Sequence, residues 1–331
     1  METTSSPPPA QAALRLSLPA ALRRWLADYG IVLAFACLCG ALALANENFM
    51  SWGNWVNLLR QTSINGLLAI GMSFVILGGG IDLSVGSVLA ISAMVSASLL
   101  TGEAAQPLWL ALPAGLAVGA GLGAVNGLFV ARLALPPFVV TLGMLSMARG
   151  LTFIYSDGMP IANLPGSFRL IGQGMVLGLP VPVLLLALCF GIGWFVLGHT
   201  PLGRYVYAVG GNIKSAKTSG VPTRSVVFST YVISGVLAAL AGLVLAARTT
   251  SALPQAGVAY ELDAIAAVVI GGTSLQGGVG RLGGTLIGAL IIGVINNGLD
   301  LLGVSSYYQQ LIKGAIIVAA VLIDVSRKKQ G

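Results

Sequence analysis

Apolar runs recur along the whole chain, separated by short polar or basic segments. About 20 apolar residues span a bilayer core as a helix, and helix is favoured there because lipid gives the backbone no hydrogen-bond partner. Ten such segments can be read, near residues 29–46, 62–77, 86–101, 108–131, 137–155, 180–198, 226–247, 264–272, 283–302 and 308–324. The eighth is too short for a full crossing; it is either broken or extends back toward Ala259. The pattern predicts an all-α polytopic membrane protein of about ten transmembrane helices. It forms one membrane domain over 29–324, between tails at 1–28 and 325–331.

Composition agrees: 56% of residues are hydrophobic and 8% charged, far from the balance of a soluble domain. A net charge of +7 would suggest nucleic acid in a soluble protein, but its distribution here follows membrane topology. With the N-terminus inside, twelve of the 17 Lys and Arg fall in inner segments, among them Arg15, Arg23, Arg24, Arg132, Arg281 and Lys328. Only Arg60, Arg169 and Arg248 fall in outer loops. That bias puts both termini in the cytoplasm and leaves nucleic acid no part. Residues 1–28 show no convincing cleavage site and read as a cytoplasmic tail leading into an uncleaved first helix. Cys37, Cys39 and Cys189 lie in apolar spans without metal or redox spacing, and His199 has no partner histidine.

Asp82 lies in GGGIDLSVGS, residues 78–87, among glycines and apolar residues. A bare charge at mid-bilayer costs roughly 2.5–3.5 kcal/mol on insertion scales. Two roles fit it, and both can hold. Asp82 or Ser84 can cap the helix that follows, where a carboxylate meets the positive end of the helix dipole. Alternatively, the stretch is a polar break lining a translocation path or gate. There is a faint internal echo: VILGGGIDLSVGS at 75–87 resembles VVIGGTSLQGGVG at 268–280, and Asn-Gly follows each, at 126–127 and 297–298. Such an echo is what a five-plus-five repeat with Gly-broken helices would leave. Asn65, Asn126, Thr141, Ser146, Asn296 and Asn297 are polar within spans. They can bond a neutral polyol along a path, or each other between helices. The spacing of Gly115, Gly119 and Gly123 implies a close helix contact.

GVGRLG at 278–283 matches a dinucleotide pattern, but no strand precedes it and no acidic residue lies in the expected place; it reads as a tight cytoplasmic turn. The chain has no P-loop, so it carries no cofactor of its own and any ATP hydrolysis belongs to a separate subunit. Arg149 is the only charge near the middle of a span, and no carboxylate pair lies deep in one, which argues against an ion-driven carrier. The outer loop 156–179 could be a docking surface, a lid or a plain connector. The inner loop 199–225 carries Arg204, Lys214, Lys217 and Arg224 and a GGN turn at Gly210, Gly211 and Asn212. Asn212 can cap a short helix over 213–219 that Gly220 ends. This loop suits a soluble partner or anionic membrane lipid.

GGGIDLSVGS, LGRYVYAVGGN and YELDAIAAVVIGGTSLQGGVGR together resemble the membrane permeases of bacterial ABC importers for monosaccharides. GTLIGALIIGVINNGLDLLGVSSYYQ is most similar to the ribose permeases among them. The likeness runs from about Asn48 onward. It implies a homodimer in the bacterial inner membrane, ABC ATPase subunits on the cytoplasmic face and a periplasmic sugar-binding protein that delivers ribose. By the same resemblance Arg204, Gly210, Gly211, Asn212, Lys214 and Lys217 would couple to the ATPase, and Asp82 and its neighbours would shape a gate or path. Another pentose, a hexose, a ribose-like signalling molecule and a nucleoside stand as alternative solutes. An ion-coupled sugar carrier and a non-transporting scaffold stand as rival classes.

Overall fold

The computed structural model describes residues 20–102 and 105–328. In chain order the elements are α1 (Ala20–Ala45), α2 (Trp52–Leu77), α3 (Val85–Leu100), α4 (Leu108–Arg132), α5 (Pro137–Ser156), α6 (Gly166–Gln173), β1 (Met175–Val176), β2 (Leu179–Pro180), α7 (Val181–His199), α8 (Pro201–Gly211), α9 (Ile213–Thr218), α10 (Thr223–Thr249), α11 (Tyr260–Ile270), α12 (Leu282–Leu301) and α13 (Ser306–Lys328). The two strands form one small antiparallel hairpin. The protein is a helical membrane protein, and α4, α5, α7, α10 and α12 are each long and apolar enough to cross a bilayer. Each of the ten apolar segments read from the sequence overlaps a helix. The predicted tails fall partly outside the described residues, at 1–19 and 329–331; α1 already begins at Ala20, and α13 runs on to Lys328.

α10 is the hub. Its most apolar window is 67% buried, against 22% for α4, α5 and α7, whose outer faces carry Leu128, Phe138, Ile154, Leu188 and Phe195 exposed. α10 packs on α2, α3 and α4 at once. Its crossing with α4 is made of backbone: Gly119 and Gly123 abut the Gly235 and Tyr231 carbonyls, and Gly115 meets α3 at Ser92 and Ser96. Small residues let helices in lipid approach this closely and gain van der Waals contact. The glycine spacing thus reports the α4–α10 seam.

Three expectations need correction. α2 starts at Trp52 rather than near 62, capped by the Ser51 hydroxyl, which accepts from the Asn54 N–H. Its polar first turns, which break the apolar run, are occupied in tertiary bonds: Asn54 exchanges amide bonds with Asn297, and Arg60 donates to the Gln173 carbonyl at 2.7 Å. Second, Gly210 and Gly211 are not a free turn; they end helix α8, which sequence reading did not foresee. Third, the 156–179 loop holds α6 and the hairpin. α6 lies on the end of α10, where Gly172 touches the Arg248 backbone and Gln173 donates to the Arg248 carbonyl. The short eighth segment is α11, which does extend back, to Tyr260.

Candidate functional site

Helices α2 and α11 end alike. At the end of α2, Gly78, Gly79 and Gly80 donate to Phe74, Ile76 and Val75 carbonyls; at the end of α11, Gly271, Gly272 and Thr273 donate to Ala267, Val269 and Val268. Gly79 and Gly272 take left-handed φ of 82° and 84°, the conformation that ends a helix with least strain in glycine. The first turn and the Gly277–Gly278 segment that follows the second meet at the end of α8. The Gly278 N–H donates to the Leu77 carbonyl at 2.9 Å, between the turns. Gly210 sits against that same bond, and Gly79, Gly210 and Gly277 meet backbone to backbone with no room for a Cβ on Gly210 or Gly277. Tyr207 of α8 adds a bond from its hydroxyl to the Gly280 carbonyl at 3.1 Å. Burial pushes the Tyr207 phenol up from its ordinary value.

α8 and α9 are seated by their inward residues. Thr200 caps α8 and Pro201 opens it, a favoured first helical position; Val206, Val209 and, on α9, Ala216 enter the main core. Asn212 caps α9 as expected, accepting from the Lys214 and Ser215 N–H groups at 3.0 Å each. Gly220 follows the helix with φ of 82°. Arg204, Lys214, Lys217 and, beyond α9, Arg224 remain exposed, as does Arg281 after the second glycine turn. One end of the bundle therefore presents a basic face on a helix pair, and that pair touches the first turn and the Gly277–Gly280 segment that follows the second.

Asp82 is 1% exposed. One carboxylate oxygen accepts from the Ser84 N–H at 3.0 Å and the Ser84 hydroxyl at 2.6 Å; the other accepts from the Ser234 hydroxyl at 2.8 Å. Asn126 of α4 donates to the Ser84 hydroxyl at 2.9 Å. The carboxylate thus binds the backbone just before α3 and ties it to α10 and α4. The other polar residues of the candidate path lie apart from it. Asn296 donates at 3.5 Å to Asp263, which Lys313 of α13 pairs at 3.0 Å. Asn297 is clamped to Asn54 near the opposite end of the bundle. Asn65 is buried within α2. Thr141 accepts no special role either; its hydroxyl bonds the Pro137 and Ile81 carbonyls.

Two cavities among the described residues bear on the site. One, of about 310 Å³, lies beside the first glycine turn and α9 and includes Ile213, Arg224 and Tyr231 in its wall. The other, of about 270 Å³, is lined by α3, α10 and the non-helical stretch between α10 and α11, with Thr249, Ser251 and Gln255 among its polar groups. That stretch is where Arg149 acts: its guanidinium donates to the Pro254 and Ala256 carbonyls, at 2.5 and 2.8 Å. Nothing local in the sequence paired Arg149 with residues more than a hundred positions away.

A family model described as "Branched-chain amino acid transport system / permease component" matches residues 54–321. The chain is 52% identical over 291 residues to the ribose import permease protein RbsC of Bacillus subtilis, covering 87% of this chain and 89% of that one. It is 47% identical over 305 residues to RbsC of Haemophilus influenzae, covering 91% and 94%. Against the D-allose transport system permease protein AlsC of Escherichia coli it is 42% identical over 282 residues, covering 85% and 86%. No solved structure matches. A helical bundle with apolar outer faces, matched by that family model over most of its length, belongs to the family of branched-chain amino acid transport system permease components.

Proposed function

We propose that this chain is the membrane-spanning permease subunit of an ATP-driven ribose importer in a bacterial inner membrane. It is not an enzyme: ATP hydrolysis belongs to partner subunits, and a periplasmic binding protein delivers the sugar. What carries this reading is similarity to ribose permeases over 87–91% of the chain at 47–52% identity, above the 42% to the D-allose relative and 37% to the L-arabinose relative AraH of Escherichia coli. The family description names another solute class, but the relatives matched over most of the chain are named for sugars.

In this reading the chain crosses ten times with both termini cytoplasmic, and the α8–α9 face is the ATPase contact. Exposed Arg204, Lys214 and Lys217 on a capped helix pair support that orientation under the positive-inside rule. α3 and α11 have 16 and 11 residues; at ~1.5 Å per residue they rise ~24 Å and ~16 Å, short of a ~30 Å core. The congruent turns at Gly78–Gly80 and Gly271–Thr273 end the second and eighth of the ten spans, six apart rather than five, so they are a shared way of ending a helix and give a five-plus-five repeat no register. Two copies form the unit, and their relative motion is driven through α9, Gly210 and the glycine turns. Asp82, Ser84 and Asn126 brace that moving part.

The test is uptake of labelled D-ribose into proteoliposomes holding this chain, its co-purified ATPase and the binding protein. ATP-dependent uptake is expected. Uptake of another pentose, a hexose, a ribose-like signal or a nucleoside under ATP would overturn the sugar; flux following an ion gradient without ATP would overturn the importer.

A further inference from the structure

The chain leaves α10 at Thr249 and reaches α11 only at Tyr260. Between them it descends into the bundle without forming helix. Near its start Ala252 exchanges two backbone bonds with Ile161, at 2.9 and 3.0 Å, in the same connection that holds α6 and the hairpin. Near its finish Gly257 lies against Gly86 in the first turn of α3, so closely that neither could carry a Cβ. Non-helical backbone at membrane depth persists only where protein or a water-filled cavity satisfies it. Here both occur: Arg149 of α5 supplies donors to two carbonyls of the stretch, and the stretch lines the 270 Å³ cavity. That volume is just below the ~300 Å³ at which small-molecule sites begin.

The lining has a definite chemistry. Thr249, Ser251 and Gln255 offer hydroxyls and an amide, Tyr260 an aromatic ring, and no side chain of the lining is charged. Such a wall suits a neutral polyhydroxylated solute and supplies no opposite charge to a carboxylate or an ammonium. The nearby start of α11, whose positive dipole end would favour an anion, already carries Glu261 and Asp263 in its first turn.

We propose that Ser251–Ala259 is the sugar-contacting wall of the transport path, with Gln255 a specificity-determining contact and Arg149 the positioning residue that holds the wall in place. The inference rests on the importer reading and assigns the site within it.

The experiment uses the reconstituted importer with Cys37, Cys39 and Cys189 replaced by Ala, and adds Gln255→Cys or Ser251→Cys singly. A small hydrophilic thiol reagent is applied from the binding-protein side, and ATP-driven ribose uptake is read before and after. Modification is expected to block uptake at both positions, and ribose with its binding protein and ATP to slow the modification. Gln255→Ala is expected to lower uptake about threefold to tenfold, the loss of one neutral hydrogen bond, with unchanged thermal stability. Arg149→Met is expected to alter the modification rate of Cys introduced at 255 and to lower the rate per folded importer, with Arg149→Lys recovering part of both. If the parent importer takes up no ribose under ATP, the functional reading fails. If it takes up ribose normally, and equally fast after modification at both positions, the wall alone is overturned. An Arg149→Met importer that loses only yield, with an unchanged rate per folded molecule, overturns the positioning role.

Discussion

Gly210 and Gly211 are neighbours at the end of α8, yet alanine at the two should behave in opposite ways. A Cβ on Gly210 would meet the Leu77 carbonyl oxygen well inside contact, the Gly278 nitrogen at 2.6 Å and the Leu77 carbonyl carbon at 2.9 Å. All are backbone atoms and cannot rotate aside. Relief requires α8 to lift from the glycine turns, breaking the 2.9 Å bond from Gly278 to Leu77. A buried polar group left without its partner costs about 1–3 kcal/mol, and overpacking typically about 1–3 kcal/mol. A sum on the order of 3 kcal/mol is about a hundredfold in equilibrium, since ~1.4 kcal/mol is tenfold. A Cβ on Gly211 meets nothing within 4 Å, and alanine there favours helix by up to ~1 kcal/mol. Gly210→Ala should therefore insert in the membrane but lose ATP-driven uptake while basal ATP hydrolysis by the partner continues; Gly211→Ala should match the parent. Thermal unfolding in detergent, read beside uptake, separates lost coupling from lost fold. Wild-type uptake and stability in Gly210→Ala would refute the proposal that this backbone junction transmits force.

Asp82→Leu removes the acceptor from the Ser84 N–H and the Ser84 and Ser234 hydroxyls; at ~1–3 kcal/mol for each buried group left unpaired, it should sharply lower folded yield by size-exclusion chromatography, with Asp82→Asn retaining more. Gly119→Val drives side-chain atoms into the Gly235 carbonyl and should lower the melting temperature through ~1–3 kcal/mol or more of overpacking, whereas Gly121→Val, with open space around it, should leave it near the parent value. Lys313→Met strands Asp263, whose side chain is 4% exposed, and breaking such a pair costs ~3–5 kcal/mol; the double change with Asp263→Leu should recover part of the loss in the same melt. Asn212→Ala removes a helix cap worth about 1 kcal/mol and should weaken co-purification of the ATPase without changing insertion.

The helices were legible because hydrophobic length is written locally: each apolar run in the sequence met a helix. The Asn212 cap was legible for the same reason, since an amide reaches only two or three residues ahead. What stayed hidden depended on distant partners. Residues 52–61 read as too polar for a buried helix until Asn297 and Gln173 are seen to satisfy them. α8 hid behind its two terminal glycines, which suggest a turn; glycine at 210 answers instead to the Leu77 and Gly278 backbone, which leaves no room for a Cβ. Asp82, Ser84 and Asn126 join in one brace while Asn296 and Asn297 bond elsewhere, and the cavity wall at Thr249 and along the connector at Ser251 and Gln255 carries no local sequence signal. Arg149 was visible as a lone charge, but its purpose lies in carbonyls, which no sequence pattern marks.

The brace around Asp82 also sets an order of events at birth. Asp82, Ser84 and Asn126 are synthesised long before Ser234, the hydroxyl that completes the network, and the glycine face of α4 waits equally long for α10. The delay between Asn126 and Ser234 is 108 residues (234 − 126), roughly 5 to 20 seconds at ribosomal rates of about 5–20 residues per second. Throughout that interval the nascent chain holds an incompletely bonded carboxylate and a bare small-residue groove beside lipid. Chains halted before residue 234 should stay attached to the insertion machinery and be cleared by membrane proteases, and those released after 249 should not.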